Sequence, residues 1–264
     1  LFFCGPRWNP SRLCRLLADN DMDFLCLAVG ERLSYEDQKL TLGRPSELAQ
    51  KSYDDLSLVM IQNPAPWVKP VRRPLDDQFI RGAAPMTRQV VRSAILDELR
   101  LEKNSVLWDL GAGTGSVSVA AALICSDGLV CAVEKNPEAA ELIERNAKKF
   151  HRHNLKVFCG DNLNVLPSLP RPTHVFVGGS GPELPQLLNA LAALGEKIRV
   201  VVSAVSLKTL AAAADILSGP QFTDFDAVQT AVSRTKPIGG TLIMAAQNSV
   251  TIFTGLTATG KEGC

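Results

Sequence analysis

A glycine-rich segment is the part of this sequence best suited to chemistry. It reads Asp109-Leu110-Gly111-Ala112-Gly113-Thr114-Gly115, follows an apolar run and leads into small residues compatible with a helix. A strand, a tight glycine turn and a helix form a loop whose backbone can approach a ligand closely, because glycine has no side chain and accepts positive φ. A plain strand-to-helix turn does not need three glycines in five residues. The pattern therefore predicts a ligand-binding loop.

Polar residues also end the next two apolar runs. Glu134 is the last residue of the apolar run that begins at Leu129, and it lies nineteen residues after Gly115. A carboxylate that holds a ribose diol is expected at about this distance from a glycine loop. Asp161 and Asn162 follow a third run in the same way. Ligands of open α/β sheets bind in the crevice at the carboxyl ends of the strands, so we predict that these groups form one site.

Two classes of cofactor compete for this site. The dinucleotide fingerprint is G-x-G-x-x-G/A, but Ser116 stands at the place of its last glycine and the glycines here run G-x-G-x-G. An acidic residue before G-x-G-x-G resembles the first motif of the seven-stranded S-adenosylmethionine-dependent methyltransferases. We therefore favour S-adenosylmethionine over a nicotinamide cofactor. The predicted contacts are Asp109, Gly111, Ala112, Gly113, Thr114, Gly115, Glu134, Asp161 and Asn162.

The hydrophobic pattern predicts alternating strands and helices around these motifs. Expected strands are Val106–Leu110, Leu129–Glu134, Val157–Cys159, Val175–Val177 and Ile198–Val202, and expected helices are Met86–Leu99, Gly115–Cys125, Pro137–Phe150, Glu183–Leu194 and Leu207–Ser218. Such alternation indicates an α/β fold with a doubly wound, mostly parallel sheet, here of seven strands. Phe222–Val232 and Val250–Thr254 are expected to close it as an antiparallel hairpin, joined by a loop around Gly239-Gly240.

Prolines divide the chain into domains. Four prolines fall between residues 63 and 74, which predicts an extended linker at 63–75. The main domain is then 76–256, followed by a flexible tail at 257–264. The segment 1–62 has an expected helix, Pro10–Asn20, and two strands, Phe24–Val29 and Leu56–Ile61. We expect it to be too small for a core of its own and to lack an upstream part.

Composition limits the possible partners. The 264 residues include 28 basic and 27 acidic side chains, a net charge of +1 that does not favour nucleic acid. Apolar runs are shorter than the roughly 18 residues of a membrane span, so we expect no membrane partner. The seven cysteines contain no C-x-x-C pair. This predicts reduced thiols in a cytoplasmic protein and no metal site.

Further motifs identify a family. Four segments resemble the decarboxylating precorrin methyltransferases of vitamin B12 biosynthesis, over about Asp76 to Gly255: Asp76-Asp77-Gln78-Phe79-Ile80-Arg81-Gly82, Pro85-Met86-Thr87-Arg88, Glu134-Lys135-Asn136-Pro137-Glu138-Ala139 and Val177-Gly178-Gly179-Ser180-Gly181. The resemblance implies methylation of meso carbon 15 of a corrin precursor, with loss of carbon dioxide from the acetate at carbon 12. It also implies a cofactor contact at Thr87 and a homotetramer. The sequence departs from the family at Asn162 and at Asn248-Ser249-Val250, and we expect neither departure to touch a group that the chemistry needs.

The segment before the linker carries a second resemblance. Gly30-Glu31-Arg32-Leu33-Ser34 and the run from Leu42 to Ala49 are similar to the C-terminal half of the tetrapyrrole methylase fold. In the fused bifunctional enzymes that domain methylates carbon 5. The resemblance implies a partial domain at 1–62.

Substrate contacts follow from the chemistry of a tetrapyrrole, which carries many carboxylates. The loop Gly179-Ser180-Gly181 would let the substrate approach the backbone, and nearby cations could pair with the carboxylates. The candidate cations are Arg81, Arg88, Arg92, Arg234 and Lys236. The substrate itself supplies the nucleophilic carbon, and the sequence does not identify a residue that would donate a proton, so no catalytic side chain is assigned. The alternatives are a methyltransferase acting on RNA, protein or a small molecule, and a non-catalytic cofactor-binding module.

Overall fold

The computed structural model describes residues 1–20, 22–64, 74–178, 181–195 and 197–258. Contacts divide the chain into two compact units, Leu1–Pro70 and Val71–Cys264. The boundary lies within 65–73, so most of the predicted linker falls outside the described residues.

The first unit is a four-stranded antiparallel sheet in the order β1-β4-β2-β3. Its elements are β1 (Phe2–Phe3), α1 (Pro10–Asp19), β2 (Cys26–Glu31), β3 (Lys39–Gly43), α2 (Pro45–Leu48) and β4 (Ser57–Gln62). Three of these, β1, β3 and α2, were not predicted, because each has five residues or fewer. Contrary to expectation, the unit has its own buried cluster: Cys14, Leu25, Leu27, Val29, Leu48, Ala49 and Val59. Its relation to the tetrapyrrole methylase fold stays a prediction.

The second unit is built on a seven-stranded, mostly parallel sheet in the order β10-β13-β9-β8-β5-β6-β7. The strands are β5 (Val106–Leu110), β6 (Leu129–Glu134), β7 (Leu155–Cys159), β8 (His174–Val177), β9 (Arg199–Ala204), β10 (Phe222–Thr230) and β13 (Val250–Thr257). Only β13 runs antiparallel to its neighbours. After β5 the chain adds β6 and β7 on one side of this strand and then crosses to add β8 on the other side. This change of direction opens a crevice at the carboxyl end of β5.

Helices cover both faces of this sheet. They are α3 (Gln89–Leu99), α4 (Ser116–Ile124), α5 (Pro137–Lys149), α6 (Asn162–Val165), α7 (Leu184–Ala192) and α8 (Leu207–Leu217). Neighbouring strand residues point to opposite faces: Leu107 packs with α3, α4 and α5, whereas Trp108 packs with α7 and α8. The apolar runs read from the sequence are therefore strands buried on both faces, and the predicted doubly wound fold is confirmed.

The end of the chain differs from the predicted hairpin. β10 and β13 do pair antiparallel, but they are joined by a separate two-stranded ribbon, β11 (Ser233–Ile238) and β12 (Thr241–Ala246). Gly239 and Gly240, both with positive φ, form the turn of this ribbon. Thr257 is fully buried in β13 and so belongs to the sheet rather than to a tail.

One helix boundary matters for the site. The expected helix from Met86 begins only at Gln89, because Arg88 has extended backbone angles and acts as the N-cap. Residues 75–88, which we call the entry segment, include a 3-10 turn at Asp76–Gln78 and otherwise lack regular structure.

Candidate functional site

A cleft of about 880 Å³ opens at the carboxyl ends of β5, β6 and β8. The glycine loop after β5 lines it, as do the ends of β6 and β8 and the last part of the entry segment. Eight predicted cofactor contacts meet here, together with the candidate cation Arg88: Thr87, Asp109, Gly111, Ala112, Gly113, Glu134, Asp161 and Asn162.

The glycine loop needs its glycines for two different reasons. Gly111, Gly113 and Gly115 all have positive φ, which L side chains rarely adopt. A Cβ on Gly113 would also lie 2.9 Å from the carbonyl oxygen of Pro85, whereas one on Gly115 would meet the Ile143 side chain at 2.7 Å. Gly113 therefore keeps space beside the cleft, and Gly115 allows α4 and α5 to pack.

Glu134 joins the tip of β6 to the glycine loop. Its Oε2 accepts a hydrogen bond from the backbone nitrogen of Gly113 at 2.8 Å, and its Oε1 accepts one from that of Asn136 at 2.9 Å. Each carboxylate oxygen can accept a second bond. The carboxylate is therefore fixed in the cleft wall with acceptor capacity left for a hydroxyl group.

Asp109 is a buried acid at the base of the cleft. Its Oδ2 accepts a hydrogen bond from the Ser118 hydroxyl, while its Oδ1 is buried and has no hydrogen-bond partner among the residues that the structure describes. Burial, with a further contribution from the charge of Glu134, raises the pKa of Asp109 to about 7. An unpaired buried carboxylate is costly, so this position favours a positively charged ligand group that lowers the cost.

Asp161 and Asn162 lie where the chain leaves β7. Asp161 is the N-cap of α6, and its Oδ1 accepts a hydrogen bond from the backbone nitrogen of Leu163 at 3.1 Å. This cap fixes the side chain at the cleft while leaving the second carboxylate oxygen available. Asn162 lines the cleft, as do Asn248 and Val250. Asn162, one departure from the family pattern, therefore lies at the cleft, and Ser249, the other, stands between two lining residues.

Arg92, on α3, holds the entry segment in place. It is almost fully buried, its Nη1 lies 3.2 Å from Asp76 Oδ1, and its guanidinium stacks on the ring of Phe79 at 4.9 Å. It also donates to the carbonyl oxygens of Pro74 and Thr87. The prediction that Arg92 is a free cation for substrate is therefore wrong, because its donors hold the segment that carries Thr87.

Asn146 on α5 connects the entry segment to the glycine loop. Its side chain is fully buried and bonds to both backbone groups of Ile80, at 2.8 and 3.1 Å. It also donates to the carbonyl oxygen of Thr114 at 3.0 Å. Sequence reasoning missed this residue, since an asparagine within a helix carries no distinctive signal.

Other predicted residues lie outside the cleft lining. Thr114 and Gly115, at the end of the glycine loop, are buried and do not line the cleft, and Arg81 lines a neighbouring cavity. Gly181 begins an exposed 3-10 turn. Arg234 pairs with Ala245 and so lies on the ribbon face opposite Ala246, which does line the cleft. Gly179 and Ser180 lie outside the described residues.

Several cleft residues were missed because their sequence context is ordinary. They come from the entry segment, the end of β9, the segment after β12 and the N-cap of α7, and examples are Ala84, Met86, Ser203, Val205, Gln247 and Glu183. Only the folded sheet brings these distant segments together.

Groups capable of other chemistry lie elsewhere. His174 stands at the amino end of β8, where its Nδ1 bonds to the Thr173 hydroxyl at 2.8 Å, and burial lowers its pKa to about 4. Within the described residues, no three His, Cys, Asp or Glu side chains are grouped to hold a metal. Among the same residues, no helix is long and apolar enough to cross a membrane.

Comparisons with known proteins give consistent results. The family model described as "Precorrin methyltransferase domain" matches residues 78–257. A Pyrobaculum aerophilum protein named "Probable cobalt-precorrin-6B C(15)-methyltransferase (decarboxylating)" is 39% identical over 183 residues, 68% of this chain and 93% of that protein. The Salmonella typhimurium "Cobalt-precorrin-6B C(15)-methyltransferase (decarboxylating)" is 34% identical over 180 residues, 67% of this chain and 93% of that protein.

A solved structure agrees with the sequence relatives. The crystal structure of "Precorrin-6y C5,15-methyltransferase" from Geobacter metallireducens superposes with a TM-score of 0.64 at 33% identity. The match covers 69% of this chain and 95% of that one. The matched family region contains the whole glycine loop and the ends of β6, β7 and β8. The chain is therefore an enzyme that belongs to the precorrin methyltransferase domain family.

Proposed function

We propose that this enzyme transfers a methyl group from S-adenosylmethionine to meso carbon 15 of a precorrin or cobalt-precorrin. In the same site it removes carbon dioxide from the acetate at carbon 12, as a step of cobalamin biosynthesis. One observation carries this proposal: the cleft at the ends of β5, β6 and β8 lies within the region that matches the precorrin methyltransferases. The relatives cited above are named for this reaction.

The cleft fits S-adenosylmethionine. Gly113 lets the loop lie close to the carbonyl oxygen of Pro85 beside the cleft, and the fixed carboxylate of Glu134 suits the two ribose hydroxyls. The unpartnered Oδ1 of Asp109 suits the cationic amino-acid end, while Asp161 suits the adenine amino group. Thr87 on the entry segment would complete the enclosure. Bound here, the cofactor would supply an electrophilic methyl group.

The protein's own contribution is mainly orientation. Asn146 bonds the entry segment to the glycine loop, and Arg92 bonds the same segment to α3, so these side chains help to position two walls of the cleft. Holding reactants in line can supply much of a rate enhancement. The substrate provides the electron-rich carbon and, once protonated, a conjugated ring that accepts the electrons left by departing carbon dioxide. No side chain needs to act as nucleophile.

The substrate contacts that we propose are the candidates from the sequence: Arg81, Gly179, Ser180, Gly181 and Arg234. A tetrapyrrole is far larger than the cofactor, and exposed cations could pair with its carboxylates without being buried alone.

Turnover with defined substrates tests the function. The purified chain is incubated with S-adenosylmethionine and either the metal-free or the cobalt-containing precursor, and the products are analysed by mass spectrometry. The proposal predicts a product that has gained one methyl group and lost one carbon dioxide with at least one precursor. Methylation of neither precursor, by a folded protein that binds S-adenosylhomocysteine, would contradict it.

We also propose that the enzyme is a homo-oligomer, a tetramer by its resemblance to the family. The ribbon β11–β12 supports this because an isolated two-stranded hairpin is marginally stable in water. On one face it carries Leu242 and Met244, which are 69% and 64% exposed. A second copy of this chain would cover that face.

The oligomer is tested by light scattering after chromatography. Leu242→Glu should shift the protein towards monomers, because a charge would be placed in an apolar contact. Thr241→Glu, on the opposite ribbon face, is the matched control and should leave the mass unchanged. A monomeric wild-type protein would refute the assembly.

A cytoplasmic location is proposed from the cysteines. All six described cysteines are free thiols, and burial raises the pKa of Cys125 and Cys131 to about 11. Such thiols suit a reducing compartment. Titration of thiols in the unfolded, unreduced protein purified from its own cells should find all seven free, and disulfides there would argue against it.

A further inference from the structure

A second cavity lies beside the cleft. Its volume is about 150 Å³, too small for a nucleoside or a ring system but large enough for a short polar group. Ala84, Met86 and Arg88 line both cavities, so the entry segment forms the wall between them. The remaining lining residues are Asp76, Arg81, Gly82 and Thr114.

Thr114 brings a polar group without a partner to this cavity. Its residue is 1% exposed, and its hydroxyl has no hydrogen-bond partner among the described residues. An unsatisfied buried hydroxyl costs about 1–3 kcal/mol, so its presence needs an explanation. A ligand that accepts a hydrogen bond in the cavity provides one.

The charge of the cavity is positive. Arg81 and Arg88 both line it, and neither forms an ion pair with a carboxylate of the described residues. The one acid, Asp76, accepts from Arg92 and from the backbone nitrogen of Gln89, so its charge is already compensated. Arg81 uses one nitrogen on the carbonyl oxygen of Asp76 and keeps its other donors.

We propose that this cavity is a carboxylate-binding subsite of the enzyme. Two guanidinium groups and one hydroxyl match the acceptors of a carboxylate, which can take a forked pair of bonds from arginine. The carboxylate comes either from a side chain of the tetrapyrrole or from the amino-acid end of the cofactor, since the cavity adjoins the cleft. The inference rests on the proposed function. It adds a binding site for a ligand carboxylate in the second cavity, which the entry segment separates from the cleft.

Two variants probe residues that line this cavity but not the cleft. Arg81→Gln removes a cation, and Thr114→Val removes the hydroxyl at nearly constant shape. Arg145→Gln, at an exposed position of α5, is the control. Affinities of the full chain are measured by calorimetry for S-adenosylhomocysteine, for its decarboxylated analogue and for the tetrapyrrole, with unfolding temperatures as a check of folding.

The two sources of the carboxylate give different results. If the carboxylate belongs to the cofactor, Arg81→Gln lowers the affinity for S-adenosylhomocysteine by about tenfold or more but leaves the affinity for the decarboxylated analogue unchanged. If it belongs to the substrate, only tetrapyrrole affinity falls by a similar factor. Thr114→Val should lower the affinity for the same ligand by about two- to tenfold. It should also raise the unfolding temperature of the ligand-free protein, because an unsatisfied hydroxyl is removed.

Unchanged affinities for all ligands in both folded variants would overturn the subsite, as would an equal loss in Arg145→Gln. The proposed function is judged separately, from the wild-type protein alone. If wild type neither binds nor methylates the tetrapyrrole, that function fails. The subsite is then decided by S-adenosylhomocysteine and its analogue.

Discussion

Glu134 Oε2 and the backbone nitrogen of Gly113 are joined by a hydrogen bond of 2.8 Å. This bond ties the end of β6 to the glycine loop after β5, two segments that are neighbours in the parallel sheet. The carboxylate therefore has two roles: it fixes the loop, and it presents its remaining acceptor positions to the cleft.

Glu134→Ala should weaken S-adenosylhomocysteine binding by about 1–3 kcal/mol, because hydrogen bonds to a charged partner are lost. Calorimetry measures the change. Glu141→Ala, an exposed acid on α5, is the control and should bind normally. Normal binding by Glu134→Ala would show that the carboxylate faces no ligand.

Gly113→Ala should abolish cofactor binding. A Cβ there would lie 2.9 Å from the carbonyl oxygen of Pro85, at a φ of +58°. Gly239→Ala is a matched control, because φ is +54° and nothing lies within 4 Å of the added Cβ. Both variants suffer the roughly 1 kcal/mol strain of positive φ, so only the crowding differs. Equal binding by the two variants would disprove the role of Gly113.

Asp109 should make cofactor affinity depend on pH. Its pKa of about 7 lies above the ordinary value of 3.8, so the protonated form is favoured in the ligand-free protein. A cationic ligand requires the ionised form, so affinity for S-adenosylhomocysteine should rise about tenfold from pH 6 to pH 8. Titration calorimetry at several pH values measures this, and Asp109→Asn should remove the dependence. A flat wild-type profile would contradict the prediction.

The same raised pKa has a consequence for stability. Between pH 3.8 and about 7 the folded state binds more protons than the unfolded state. The contribution of Asp109 to the free energy of unfolding is therefore lost as pH rises through that range. The free energy of unfolding, measured with denaturant, should therefore decrease less with rising pH in Asp109→Asn than in wild type. Identical pH profiles would show that Asp109 titrates alike in both states.

Asp76→Ala should destabilise the protein by about 3–5 kcal/mol, because it leaves Arg92 buried without its partner. Denaturant unfolding measures the loss, and Asp77→Ala, at an exposed neighbour, should have little effect. Adding Arg92→Met to Asp76→Ala should recover part of the loss, since the unpaired charge is gone. A double variant as unstable as the single one would argue against a buried charge as the cause.

The sequence predicted the elements that have strong local patterns. The strands around Asp109 and Glu134 are apolar runs buried on two faces, and glycines mark the loop between strand and helix. It did not predict the role of Arg92, whose burial depends on Asp76 and Phe79 from a segment without regular structure. Nor did it predict that Asn248, far along the chain, reaches the cleft. Such contacts arise from tertiary packing and leave no periodic signal.

The position of the transferred carbon is the sharpest test of the proposed reaction. The enzyme is given S-adenosylmethionine with a ¹³C-labelled methyl group and the tetrapyrrole precursor, and the product is examined by NMR. We expect the label on carbon 15 and, from the decarboxylated acetate, an unlabelled methyl group on carbon 12. A label at another ring position, or a carbon 12 acetate that stays intact in the methylated product, would contradict it.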